Sequence, residues 1–340
     1  AGLTDSDELL ADNKRTMLEN AKERILAIDS SKFGATAFMT VGRLKDITMI
    51  VTDEKPEMKW LKEFKKLGRK DGMKSFDIKT KVYFGDNALD RLSEIPYKKV
   101  LVITDPFLAQ SSMINLITDP LKKGHIEYDI FQDVVPDPPI EKISEGVKKL
   151  LAYKPEAIIA VGGGSAIDSS KSIREFAVRI EHYGDVGLIA IPTTSGTGSE
   201  VTSFAVVSDP AEQRKYPLVS RDLTPDEAIL DAELVKSVPP AVTADTGMDV
   251  FTHALEACVS TDRNDFATAL AEKAIEICGV FLLRAYLDGS DTHARQKMHS
   301  ASCLAGLAFN SASLGLNHGM AHQLGATFHI PHGRANAMLL

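Results

Sequence analysis

The chain has 340 residues, of which 44% are hydrophobic and 25% are charged. Its formal net charge of −8 at pH 7 argues against a dedicated binder of nucleic acid or anionic membranes, because those partners attract a basic surface. A single hydrophobic core stops growing at about 250–300 residues, so this length predicts two domains with a cleft between them. Small molecules or other proteins are therefore the expected partners.

The first eighty or so residues differ in character from the rest. Apolar residues recur at helical spacing between Ser6 and Ile28, which predicts an amphipathic helix. A short strand is expected at Thr48–Thr52, and the basic run Lys59–Lys70 is more typical of a solvated helix face than of a binding surface. The acidic N-terminus and the lack of a long apolar stretch predict a cytoplasmic protein without a membrane span.

From Lys79 onward, short apolar runs rich in β-branched residues alternate with helical stretches. The runs are KVYF, KKVLVITD, YDIF, EAIIAVGGGS and GLIAIPTT. This alternation predicts a parallel sheet with helices on both faces, as in a Rossmann-like domain. After about Thr243 the sequence favours only helices, and its Cys258, Cys278 and Cys303 lack CxxC spacing, as expected of buried reduced thiols.

Two polar loops follow the strands of this predicted sheet. In the first, a buried strand ends at Gly162-Gly163-Gly164-Ser165 and a helix starts near Ala166, an arrangement that suits a phosphate at a helix N-terminus. The second, Ile191–Val201, is dense in hydroxyl groups. Each loop alone is compatible with a plain turn, but the pair favours nucleotide binding at the carboxyl ends of the strands. Asp105 is placed either to bind a ribose diol, which would favour NAD over NADP, or to cap the next helix.

Histidines cluster in the helical region. His318 and His322 are four residues apart, as are Asp249 and His253, and this spacing lets two side chains on one helix face hold the same ion. One carboxylate with two or three imidazoles suits Zn²⁺ or Fe²⁺. Spacing alone leaves open which histidines are ligands.

Taken together, the motifs resemble those of the iron-dependent (group III) alcohol dehydrogenases, with a C-terminal stretch similar to bacterial propanol and ethanol dehydrogenases. GGGSxxDxxK stands at Gly162–Lys171, TTSGTGSEVT at Thr193–Thr202, GMDVFTHALEA at Gly247–Ala257 and NHGMAHQLGATFHIPHGRANA at Asn317–Ala337. The resemblance implies an NAD-binding α/β domain over 79–243 and a helical metal domain over 244–340, preceded by an extension over 1–78. It also implies a homo-oligomer.

The resemblance assigns a role to each candidate residue. The metal, Fe²⁺ or alternatively Zn²⁺, would be held by Asp249, His253, His318 and His332. His322 would remain unligated beside the metal as a proton relay, and His329 receives no role. The implied cofactor-binding residues are Asp105, Gly163, Gly164, Ser165, Asp168, Thr193, Thr194, Thr197 and Lys215. Within this set, Asp168 is expected to order the glycine loop.

The implied reaction is hydride transfer between NAD(H) and a short aldehyde or alcohol, with the metal polarising the carbonyl oxygen. The apolar surroundings of Phe251, Phe309 and Leu314 favour acetaldehyde or propionaldehyde. Two alternatives remain, namely a metal- and NAD-dependent lyase of the dehydroquinate synthase type and a non-catalytic assembly protein.

Two departures from the family pattern accompany these expectations. The sequence stops at Leu340 inside a predicted helix, so the C-terminal part of the helical domain is expected to be missing. The N-terminal helix is expected to dock on the enzyme, to mediate assembly with a partner such as an aldehyde dehydrogenase, or to direct the protein into a bacterial microcompartment.

Overall fold

The computed structural model describes residues 2–5, 8–20, 24–35, 37, 39–43, 46–47, 49–53, 57, 60, 76–210 and 214–340. Contacts divide the chain into two units, Ala1–Ser75 and Phe76–Leu340. The first unit has a described helix, α1 (Glu8–Asn20), and the strands β1 (Gly2–Asp5), β2 (Ile25–Ala27), β3 (Met39–Arg43) and β4 (Met49–Val51). Strands β1 and β3 pair antiparallel, and β2 and β4 pair parallel.

The N-terminal helix is shorter than predicted. It ends at Asn20, and Ile25, which the helical pattern included, pairs with Met49 in a strand instead. The helical pattern in the sequence continues past the end of the helix, and backbone pairing between β2 and β4 determines the structure at Ile25 instead. The strand predicted at Thr48–Thr52 is confirmed by β4, whereas the run Lys59–Lys70 lies outside the described residues except for Trp60.

The second unit is built on a six-stranded parallel sheet in the order β5-β12-β9-β8-β6-β7. Its strands, with the separate antiparallel hairpin β10–β11, are β5 (Lys81–Phe84), β6 (Lys99–Ile103), β7 (Glu127–Phe131), β8 (Ala157–Gly162), β9 (Gly187–Pro192), β10 (Phe204–Asp209), β11 (Arg214–Val219) and β12 (Glu227–Leu230). The predicted parallel sheet is confirmed. Sequence reasoning missed β12 and the hairpin.

Helices cover both faces of this sheet and then continue alone. They are α2 (Pro106–Gln110), α3 (Asn115–Lys123), α4 (Ile140–Tyr153), α5 (Gly164–Arg179), α6 (Pro240–Val259), α7 (Asp265–Leu287), α8 (Thr292–Ala312), α9 (Leu316–Phe328) and α10 (His332–Leu339). Alternate residues of β8 enter different cores, Ile158 and Ala160 on one face and Ile159 and Val161 on the other. A strand buried on both faces explains the uninterrupted apolar run AIIAVG.

The helical part has its own core, which is rich in alanine. Small buried side chains such as Ala254, Ala271 and Ala301 let α6, α7 and α8 pack closely. Cys278 and Cys303 are buried in the reduced state, and Cys258 is half-buried. Within the described ranges, none of the helices combines the length and the apolar character that crossing a membrane requires.

Candidate metal and cofactor sites

Four side chains from three helices converge in the helical part. Asp249 and His253 stand one turn apart on α6, His318 lies in the first turn of α9, and His332 is the first residue of α10. One ligand atom from each residue can be chosen so that all four lie within 4.8 Å of one another. The structure therefore brings together the four residues that the sequence proposed as ligands.

The donor atoms of this cluster suit a transition metal. Asp249 Oδ1 is 3.6 Å from His318 Nε2 and 3.5 Å from His332 Nε2, and Asp249 Oδ2 is 4.0 Å from His253 Nδ1. That His253 nitrogen is buried and has no hydrogen-bond partner. Since an unpaired buried polar atom is costly, a metal ion at this point would satisfy it. One carboxylate with three imidazoles fits Fe²⁺ or Zn²⁺.

The protonation states of Asp249 and His253 also suit a metal. Burial alone would raise the pKa of Asp249, but the neighbouring histidines outweigh it and hold the pKa below its usual value. Burial lowers the pKa of His253 to about 4. At neutral pH the carboxylate is therefore ionised and this imidazole is neutral, which are the forms that coordinate a metal.

Glu256 supports the cluster from behind. Its Oε2 is 2.5 Å from His318 Nδ1, and its Oε1 accepts a hydrogen bond of 2.7 Å from the backbone N–H of Asn317. A carboxylate on Nδ1 fixes the tautomer of His318 and leaves Nε2 free to face Asp249. Sequence reasoning missed Glu256, although it lies two helical turns after Asp249 and therefore on the same face of α6.

Asn336 is a second residue that sequence reasoning missed. Its Nδ2 donates to Asp249 Oδ1 at 2.7 Å and lies 3.1 Å from His318 Nε2 and 3.2 Å from His332 Nε2. One carboxylate oxygen and two imidazole nitrogens thus converge on one electropositive group. A metal ion would compete with this amide for the same three atoms. Asn317 Nδ2 donates to Asn336 Oδ1 at 3.0 Å and so holds the amide in place.

The remaining histidines of this region lie outside the cluster of four. The ring of His322 is exposed and is centred 5.0 Å from that of His332 and 6.2 Å from that of His318. It is thus beside the candidate ligands. His329 is exposed and ends α9 with a positive φ of 55°. At this position the backbone turns, and α10 begins three residues later at His332.

The two predicted cofactor loops touch each other at the carboxyl ends of β8 and β9. A Cβ atom added to Gly164 would lie 2.8 Å from Thr197 Cγ2, and one on Gly163 would lie 3.4 Å from Thr194 Oγ1. The backbone N–H of Thr193 also donates to the carbonyl of Gly162 at 2.9 Å. Helix α5 begins at Gly164, two residues before the predicted start. The close approach explains why glycine is needed in the first loop.

Asp168 and Lys171 fasten α5 to the second loop. Asp168 accepts hydrogen bonds from Ser199 Oγ at 2.5 Å and from the Val206 N–H at 3.0 Å. Lys171 is fully buried, and its ammonium group donates to the carbonyls of Thr202 at 2.8 Å and Phe204 at 2.7 Å. Both side chains are therefore engaged with the loop and the strand that follows it.

Of the other predicted cofactor residues, Asp105 and Ser165 lie beside the glycine loop. Asp105 caps α2 through a 2.9 Å bond from the Leu108 N–H, and its second oxygen would be 3.8 Å from a Cβ atom on Gly162. The capping role is thus realised while one oxygen faces the glycine loop. Ser165 is half-buried in the first turn of α5. Lys215 belongs to β11, and its side chain lies outside the described part of the chain.

The metal cluster and the second loop meet at helix α6. A Cβ atom added to Gly196 would lie 2.9 Å from Thr246 Cβ, and Thr246 is three residues before Asp249. Glycine at position 196 therefore allows the loop to approach the helix that carries two of the candidate ligands.

Comparison with known proteins assigns the family. The family described as iron-containing alcohol dehydrogenase matches residues 79–232, and its C-terminal counterpart matches 243–340. The 1-propanol dehydrogenase of Citrobacter freundii is 51% identical over 273 residues, which are 79% of this chain and 72% of that protein. The chain belongs to the iron-containing alcohol dehydrogenase family.

Solved structures agree with this assignment. A 1,3-propanediol oxidoreductase is similar with a TM-score of 0.73 and 36% identity, covering 78% of this chain and 74% of that one. A sulfoacetaldehyde reductase from Bifidobacterium kashiwanohense in complex with NAD⁺ is similar with a TM-score of 0.73 and 30% identity, covering 78% and 75%. The chain is thus a metal-containing oxidoreductase of the alcohol dehydrogenase family, which favours the dehydrogenase over the lyase and assembly-protein alternatives.

Part of the N-terminal unit is similar to a different protein family. Residues 1–54 match the family described as the DeoR C terminal sensor domain. The helix and short strands of this unit therefore belong to a segment outside the two dehydrogenase matches.

Proposed function

We propose that this chain reduces small uncharged aldehydes, propionaldehyde and acetaldehyde above all, with NADH. The observation that carries the proposal is the convergence of Asp249, His253, His318 and His332. Helix α6, which carries the first two, also contacts the second cofactor loop. When bound, the metal would polarise the carbonyl oxygen and NADH would supply the hydride. The NAD-binding and helical metal domains are proposed to span 79–243 and 244–340.

The residues of the chain would bind and orient these groups. The N-terminus of α5 presents Gly163, Gly164 and Ser165 to the pyrophosphate, where backbone N–H groups favour an anion. Thr193, Thr194 and Thr197 would bind the ribose and nicotinamide side, with Asp105 at the adenosine ribose and Lys215 near the cofactor. His322, beside His332 and open to solvent, would hand a proton to the product oxygen.

The surroundings of the cluster favour an uncharged substrate. The Phe309 ring stacks on the ring of His253 with centroids 4.6 Å apart, so an apolar side chain lies directly beside a candidate metal ligand. Arg334, two residues after His332, is already paired with Asp245 through two hydrogen bonds of 3.0 and 3.1 Å. Because that guanidinium is already paired with a carboxylate of the protein, it does not favour binding of an aldehyde that carries a phosphate or carboxylate group.

A metal-loading experiment tests this function. The full chain is stripped of metal, reloaded with Fe²⁺ or Zn²⁺, and assayed for NADH oxidation with C2 to C4 aldehydes and with a phosphorylated aldehyde. We expect turnover of the unphosphorylated aldehydes only, loss of turnover in Asp249→Asn, and unchanged turnover in the control His293→Gln, which lies on α8 away from the cluster. No turnover of any aldehyde by the loaded protein would refute the proposal.

We further propose a cytoplasmic homo-oligomer whose N-terminal unit determines its assembly. The resemblance of residues 1–54 to a sensor domain supports a separate module there. Entry into a microcompartment and binding to an aldehyde dehydrogenase would both depend on this module. Deleting residues 1–72 and measuring oligomeric state and cellular location tests this. Unchanged assembly and location would show that the unit has another role.

A further inference from the structure

His299 of α8 is fully buried between two residues at the exit of strand β9. Its Nε2 lies 3.2 Å from the carbonyl oxygen of Pro192, and its Nδ1 lies 3.0 Å from Ser195 Oγ. A carbonyl oxygen can only accept, so Nε2 must carry the proton and donate it. Because burial lowers the pKa of His299 to about 4, the ring is neutral and Nδ1 must accept from the Ser195 hydroxyl.

The same face of α8 makes two further contacts, one with the second cofactor loop and one just after it. A Cβ atom on Gly198 would lie 2.6 Å from Gly306 Cα, so the backbones touch there. Farther along, Asn310 Oδ1 accepts from both the N–H and the hydroxyl of Ser203 at 2.8 Å. Positions 299, 306 and 310 share one face at helical spacing. Helix α8 therefore supports the loop at its beginning and middle and also contacts the chain just after it.

His299 contacts the residues on either side of the Thr193–Thr194 pair. Ser195 follows Thr193 and Thr194 directly, and Thr197 is two residues further on. The side chains of Thr194 and Thr197 meet the glycine loop only if the backbone leaves β9 in the observed direction. The imidazole fixes that direction by engaging one residue before the threonine pair and one after it. Both ring nitrogens are used in doing so, which leaves neither for a substrate.

We propose that His299 is a positioning residue for hydride transfer, which holds Pro192 and Ser195 so that the Thr193–Thr197 segment is preformed to bind the nicotinamide cofactor. This inference rests on the proposed cofactor role of that segment. It predicts that a lesion at His299 weakens NADH binding and slows turnover without changing metal binding.

Three variants of the metal-loaded full chain test the proposal. His299→Leu removes both hydrogen bonds and should raise the Kd for NADH by at least about ten-fold and lower kcat, since one buried bond alone is worth roughly that factor. His299→Gln presents an amide donor and an amide acceptor and should restore both values to within about three-fold of the original. Ser195→Ala should weaken NADH binding in the same direction, and combining it with His299→Leu should add little. The control is Ser300→Ala, whose hydroxyl donates to Gln296 O within α8.

The readouts separate this inference from the proposed function. Kd for NADH is measured by fluorescence titration and metal affinity by chelator competition, alongside kcat and KM for the aldehyde. If the unaltered chain does not bind NADH, the proposed function fails. If it binds NADH and His299→Leu binds it equally well, the positioning role is refuted. Should His299→Leu not fold, unchanged NADH binding in Ser195→Ala refutes the role in the same way.

Discussion

Replacing Glu256 with glutamine changes one atom in a buried residue that supports a candidate metal ligand. The carboxylate now uses one oxygen for His318 Nδ1 and the other for the N–H of Asn317. Glutamine offers a single acceptor oxygen, so one of these donors must face an amide NH₂ group. Losing a hydrogen bond to a charged group costs about 1.5–3 kcal/mol. Because Glu256 is only 6% exposed, water cannot readily take its place.

Part of this cost should appear as weaker metal binding. Without the carboxylate, His318 is less firmly held with Nε2 toward Asp249, and lesions of this kind lower metal affinity about 10- to 100-fold. We therefore expect Glu256→Gln to raise the Kd for Zn²⁺ by that factor, measured by competition with a chromophoric chelator at fixed pH. The Kd for NADH should change by less than about two-fold, since Glu256 contacts neither cofactor loop in the described structure.

A surface substitution of the same kind provides the control. Glu276→Gln on α7 removes an exposed ion pair with Lys273 and should leave metal affinity unchanged. Equal Zn²⁺ affinity in Glu256→Gln and the unaltered chain would show that the orientation of His318 does not depend on this carboxylate. It would also remove the argument that Glu256 belongs to the metal site.

Three further predictions concern the cofactor side. Lys171→Met should lower the free energy of unfolding by about 3–5 kcal/mol in denaturant titrations, because it leaves buried acceptors and the Asp168 carboxylate without their cation; a loss below about 1 kcal/mol would contradict this. Asp105→Asn keeps an oxygen to cap α2 but removes the charge, so the preference for NADH over NADPH, measured as a ratio of kcat/KM values, should fall about ten-fold; an unchanged ratio would exclude Asp105 from the ribose site. Burial lowers the pKa of His299 in the folded chain to about 4, from an ordinary value of 6.5. Between these two pH values the unfolded chain binds a proton that the folded chain does not bind, so the free energy of unfolding falls as the pH falls through that window. Acidification from pH 7 to 5 should therefore cost the original chain about 2 kcal/mol more than it costs His299→Gln, and equal losses would refute the assignment.

The parts of the fold that could be predicted are those encoded locally. Strand β8 is buried on both faces, so its apolar run is continuous, and Asp249 and His253 are paired by helix geometry within a single turn. The hairpin β10–β11 and strand β12 were missed because short runs such as EAIL in β12 carry no clear period. Strand β12 also enters the sheet between β5 and β9, a placement that only the tertiary fold determines.

The candidate site, like the fold, could be predicted only where it is encoded locally. Which histidine completes the metal cluster depended on the resemblance rather than on spacing, because the chain turns at His329 and the helical period is interrupted before His332. Glu256 reaches His318 across 62 positions, and Ser195 reaches His299 across 104. Contacts of that range leave no pattern in a single sequence. They become visible only when the helices are packed.

The contact between Gly196 and Thr246 links the second cofactor loop to the helix that carries Asp249 and His253. Thr246 and Asp249 are three residues apart on α6, which is about 4.5 Å along the helix axis. The distance along α6 between this contact and Asp249 is therefore fixed by the rise of one continuous helix. One residue inserted between these positions would rotate Asp249 by about 100° around the axis, so this stretch of α6 tolerates substitution far better than a change in length.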